Sequence, residues 1–189
     1  MPSYAEIQRA LQGAWLLARG DTRGMGLFDL SVEGFWKSFA AALLAAPAYV
    51  LVLLEQYAVL GGPENLGATV VAEILAYACG WLTFPVAAIV LTRLLGLGGR
   101  YVPLIVASNW GAMLQIGLYT VVVIVTLVMP REVRTFGLFA ATAAVLVYQW
   151  FVIRTALETS GGIAFGFVVI DVLLSVAVTR GIDGLLQPS

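Results

Sequence analysis

Residues 162–186 read GIAFGFVVIDVLLSVAVTRGIDGLL. A helix of about 20 residues crosses a hydrocarbon layer of about 30 Å, so this run is long enough to span a bilayer. Between positions 162 and 179 it holds one ionisable side chain, Asp171. The helical rise puts that acid about 14 Å from the start of the run, close to the midplane. An ionised carboxylate facing lipid there costs several kcal/mol or more, so Asp171 is expected to face the interior of a helical bundle.

Four more segments have the same character, at residues 35–58, 67–96, 102–129 and 135–158. The connections GLGGRY, MPREVR and ETSGG are short, and VLGGPENLG after the first span is longer. Short connections make successive helices antiparallel neighbours. The chain as a whole is 61% hydrophobic and 11% charged, with a mean hydropathy of +0.96, too few charges to cover a soluble surface of 189 residues. The expected fold is all-α: a polytopic membrane protein with five transmembrane helices and an N-terminal amphipathic interfacial helix. Residues 1–33 would form the amphipathic segment and elbow, and 34–189 a single five-helix domain.

Composition removes several chemistries. The net charge of −1 offers no basic surface for nucleic acid. No histidine is present, which excludes imidazole ligation and imidazole acid–base catalysis, and the single cysteine, Cys79, lies in an apolar run. No metal or cofactor is expected. The N-terminal MPSYAEIQRALQ lacks the short apolar core of a secretory signal, so no cleavage is expected. Nine Arg against one Lys, in an Ala-, Leu- and Val-rich chain, points weakly to a GC-rich bacterial genome.

Basic residues set the orientation. With the N-terminus inside, Arg9, Arg19, Arg23, Lys37, Arg93, Arg100 and Arg154 lie inside and Arg131, Arg134 and Arg180 outside, seven against three. The expected location is the bacterial cytoplasmic (inner) membrane, N-terminus cytoplasmic and C-terminus periplasmic. Within residues 3–19, Ile7, Leu11, Ala14, Trp15 and Ala18 recur at helical spacing. This helix is expected to lie on the lipid surface rather than on the protein's own loops, with Trp15 at headgroup depth. Asp29 or Ser31 caps the next helix, and Phe35 and Trp36 anchor its entry into the membrane.

By the same arithmetic Gln149 and Asn109 lie at about 13 and 12 Å, in the depth band of Asp171. These three side chains form the expected intramembrane polar cluster. Arg154, about 6 Å deep, is expected to snorkel to the headgroups rather than reach Asp171. Asp171 is read either as a proton or polar-substrate contact or as an interhelical hydrogen-bond clasp, with a narrow preference for the clasp. Pro47 and Pro85 kink the first two spans, and Gly162 and Gly166 form a GxxxG expected to serve helix packing within the monomer. Arg93 to Asn109 and Arg154 to Asp171 are similar intervals, which chance accounts for more simply than duplication does.

A cytoplasmic N-terminal segment followed by five tightly connected spans resembles the layout of the Yip family of membrane proteins and its bacterial relatives. The eukaryotic family's DLYGP falls where this chain has FDLSVEG, residues 28–34, and its glycine–tyrosine-rich stretch where this chain has GGRYVPLIVASNWG, residues 98–111. Eukaryotic members act in GTPase-linked vesicle traffic, a role the departure from DLYGP does not carry over. The resemblance implies a non-enzymatic membrane protein, a scaffold or accessory subunit whose partners are the lipid bilayer and other membrane subunits or further copies of itself. The competing expectation is a small transporter or channel using Asp171. No GxSG, paired aspartates or acidic phosphotransfer cluster supports an intramembrane enzyme.

Overall fold

In a bilayer core no water is at hand to satisfy backbone groups, so an apolar run closes its hydrogen bonds within itself as a helix. A computed structural model describes residues 1–62 and 65–186 and contains no strand among them. Pro63 and Glu64 of the long first turn, and the last three residues of the expected 34–189 unit, lie outside the described residues. The helices are α1 (Tyr4–Ala18), α2 (Val32–Ser38), α3 (Ala40–Leu60), α4 (Leu66–Leu94), α5 (Tyr101–Thr126), α6 (Arg131–Leu157) and α7 (Gly161–Leu186), with 3-10 turns at Thr22–Leu27 and Gly98–Arg100.

Five units are long and apolar enough to cross a membrane: α2 with α3, then α4, α5, α6 and α7. The chain is an integral membrane protein. The fourth span begins earlier than expected, at Arg131 just after Pro130, and its first turns hold Arg134 in an ion pair with Glu55 of α3. Large side chains such as Leu51, Leu54, Ile74, Val121 and Ile124 stay exposed, as lipid-facing positions do. Around the bundle the order is α3, α5, α6, α7, α4: α5 packs on α3 and α6, while α4 packs chiefly on α7.

The N-terminal helix forms as read, closed by a capping box in which Ser3 Oγ accepts from the Glu6 amide and Glu6 Oε2 accepts from the Ser3 amide. Its placement corrects the expectation of a helix resting on lipid. α1 packs on α5 and α6 and buries Ala10, Gly13, Ala14 and Leu17, while Trp15 and Ala18 stay exposed. The buried stripe is therefore the small-residue face, because small residues let two backbones approach. A Cβ on Gly13 would meet the Gly24 carbonyl oxygen at 2.8 Å. Burial of Leu17 contributes roughly 1.5–3 kcal/mol to this docking. The Tyr148 hydroxyl donates to the Ala14 carbonyl at 3.1 Å.

Ser31 caps α2 by accepting from the Gly34 amide, while Asp29 accepts from the Ser31 amide just ahead of the helix, so of the two candidates Ser31 is the cap. Lys37 then pairs with Glu6 of α1 and Glu33 of its own helix, each at 2.7 Å. The buried core gathers at this α1 end, where Leu17, Leu104, Ile105, Ile153, Leu157 and Phe167 meet.

Candidate functional site

Between the core and the far end of the bundle lies a cavity of about 510 Å³, walled by residues of all five spans. Asp171 and Ser175 of α7, Gln149 of α6, Asn109, Gln115 and Tyr119 of α5, Tyr77 and Trp81 of α4, and Tyr49 of α3 all contribute to its wall. Polar side chains buried among apolar helices must find partners, and their bonds define the site.

Gln149 Nε2 donates to Asp171 Oδ2 at 2.5 Å. The acid is half-buried and faces the cavity rather than lipid. Asn109 does not join this pair. Its Nδ2 donates instead to Ser38 Oγ at 2.9 Å, and both residues are buried. Ser38 Oγ in turn donates to the Phe35 carbonyl at 2.7 Å, fixing the bend between α2 and α3. Asn109 lines the same cavity wall as Asp171 and Gln149, but its bond runs across to the first span rather than to the acid. α5 also packs against α1 and α2.

Glu73 has a role that sequence reasoning missed. Its carboxylate accepts from the hydroxyls of Tyr49 at 2.9 Å and Tyr57 at 2.8 Å. The signal was present in two tyrosines eight residues apart, close to the same helical face. Tyr77 donates to the Ala42 carbonyl at 2.5 Å, so tyrosine hydroxyls join α3 to α4 at three points. The Tyr49 and Tyr77 rings lie 4.7 Å apart and Trp81 is 6.2 Å from Tyr77, which makes one aromatic panel along the wall.

The remaining expected residues sit outside the cavity. Arg154 is exposed and lies over the Trp150 ring at 5.5 Å. Trp150 Nε1 donates to the Gly161 carbonyl at 2.9 Å and pins the α6–α7 turn. Trp15 and Trp36 are exposed at 57% and 69%, free to meet headgroups. Gly162 and Gly166 do not serve packing within the monomer: a Cβ at either would meet open space. The close approach occurs at Gly111, under the Tyr148 ring, and at Gly161, against Trp150.

Among the described residues Asp171 is the one carboxylate in the wall, and no Lys or Arg lines it. Such a site can hold a hydrogen-bond donor or a positive charge while the aromatic panel covers apolar surface. Comparison with known protein families, characterised proteins and solved structures finds no match for this chain.

Proposed function

We propose that this chain is a non-enzymatic membrane protein that admits a small polar solute to a cavity within the bilayer and acts as a small transporter or channel. The observation that carries this reading is the wall itself: all five spans contribute to it, and it holds the Asp171–Gln149 pair. A clasp alone requires two helices in contact, not a cavity of about 510 Å³, a volume ordinary for small-molecule sites. The basic-residue asymmetry supports an orientation with the N-terminus cytoplasmic, taken here in a bacterial inner membrane, in which the core at the α1 end lies between the cavity and the cytoplasm.

Two experiments test this. In a Cys79→Ser background, Gln115→Cys should react with a membrane-impermeant thiol reagent from the periplasmic face and not from the cytoplasmic face. Failure to react from either face removes the aqueous cavity. Cysteines at the exposed Gln8 and Gln12 should react from the cytoplasmic side. A reporter fused after Ser189 that works only in the cytoplasm would overturn the orientation.

The second reading is the scaffold or accessory subunit, on the Yip-type plan. Gly162 and Gly166 favour it, because their open face on α7 has the spacing at which another helix can approach closely. Mild detergent extraction should then recover a stoichiometric membrane partner, whereas the transporter reading expects the chain alone or with copies of itself.

A further inference from the structure

We infer that the cavity recognises a small organic cation, an ammonium group carried on a compact apolar body. The inference rests on the solute-binding reading of the same cavity and adds the class of solute. Three features of the wall support it.

The first is charge. Among the described residues Asp171 is the one formally charged side chain in the wall. Gln149 bonds Oδ2, and among the described residues no hydrogen bond reaches Oδ1. That leaves half of the carboxylate available to a donor. An anion would meet no counter-charge among the described residues of the wall.

The second is the aromatic panel of Tyr49, Tyr77 and Trp81. The negative faces of such rings attract a cation within about 6 Å. The hydroxyls of Tyr49 and Tyr77 are already engaged, one by Glu73 and the other by the Ala42 carbonyl. Their protons therefore point into the α3–α4 seam, and the bonds hold the rings in place. A phenol donating to a carboxylate is also more electron-rich, which strengthens its face toward a cation.

The third feature separates an organic cation from a metal ion. Calcium and magnesium require six or more oxygen ligands at about 2.0–2.6 Å. One carboxylate beside a few amides does not supply that shell. An alkylammonium needs only a counter-charge and an apolar, aromatic lining.

The test uses the full chain in lipid nanodiscs and three aromatic probes of similar size: benzyltrimethylammonium, benzyl alcohol and benzoate. Titration calorimetry should show saturable binding of the ammonium only. Asp171→Asn, which preserves the hydrogen-bonding shape, should weaken it at least tenfold, and Trp81→Leu should weaken it severalfold. Helical circular dichroism and a single gel-filtration peak establish that each variant is folded. If Asp171→Asn does not fold, Trp81→Leu and the probe series decide the question. Benzyl alcohol or benzoate binding as well as the ammonium, or ammonium affinity unchanged in folded Asp171→Asn, would overturn the cation inference and leave solute binding intact. No probe binding, with Gln115→Cys still open to thiol reagent, would overturn the cation inference alone. No probe binding with Gln115→Cys unreactive would overturn both.

Discussion

Asn109 and Ser38 meet at 2.9 Å across 71 residues of chain. The bond ties α5 to the α2–α3 bend within the first span, and the Ser38 hydroxyl completes it by donating to the Phe35 carbonyl. Ser38→Ala strands the buried Asn109 amide, at a cost of about 1–3 kcal/mol. Thermal unfolding in mild detergent should register the loss. Replacing both residues with apolar ones of similar size should cost less than Ser38→Ala alone, since no polar group is then left unpaired.

Asp171→Asn and Asp171→Leu separate shape from charge. Asn retains a partner for Gln149, so folding and assembly should survive. Leu leaves the Gln149 amide in an apolar wall and should lower stability by about 0.6–2 kcal/mol. Transport or solute binding should be lost in both. Activity retained in Asp171→Asn would reduce the residue to a clasp.

Glu73 joins α3 to α4 by receiving two phenols. Glu73→Leu removes the carboxylate that accepts from Tyr49 and Tyr57 and should loosen the seam, raising thiol-reagent access at Ala45→Cys in the cavity wall. Glu73→Gln keeps an acceptor and should fall between wild type and Leu. Equal labelling in all three proteins would show that the tyrosine bonds do not hold the seam.

Gly13 faces the 3-10 turn at Gly24 with no room for a side chain. Gly13→Val should undock α1 at a cost of about 1–3 kcal/mol while leaving the five spans intact. Proteolysis within residues 4–18 should then accelerate in membranes, with no change in the helicity of the spans.

Docking of α1 is also sensitive to acid. The hydrogen bond from Lys37, followed by those from the Ser3 backbone and side chain, lowers the Glu6 carboxyl from the ordinary 4.5 to about 2. A depressed acid stabilises the docked helix fully above its ordinary value, and that contribution drains away as the pH falls from about 4.5 to about 2. Hydrogen exchange of α1 amides should rise, relative to the spans, through that window. Glu6→Gln should remove the pH response there.

The five spans were legible because long apolar runs leave few alternatives in lipid. The Asp171–Gln149 pair was legible from depth counting, since α6 and α7 are antiparallel neighbours joined by a short turn. The same counting brought Asn109 to the cavity wall but not to its partner, because Ser38 belongs to a different span, 71 residues earlier. The buried face of α1 escaped because Ala10 and Gly13 score low as apolar residues, yet small size is what permits close packing, at Gly13 against the Gly24 backbone. Gly162 and Gly166 show the converse, a packing motif with no helix against it. Glu73 could be paired with Tyr49 and Tyr57 only once α3 and α4 were set side by side.

The hydrogen bond from Tyr148 to Ala14 spans 134 residues. It implies an order of assembly at the ribosome. The platform for α1 is made by α5 and α6, so the first helix to be synthesised has nothing to dock on until most of the chain has emerged. At 5–20 residues per second that interval is roughly 7–27 s. During it the capping box can keep α1 helical on its own, and the Lys37–Glu6 pair can hold it near the first span. The N-terminus thus waits, tethered, until α5 and α6 have been made.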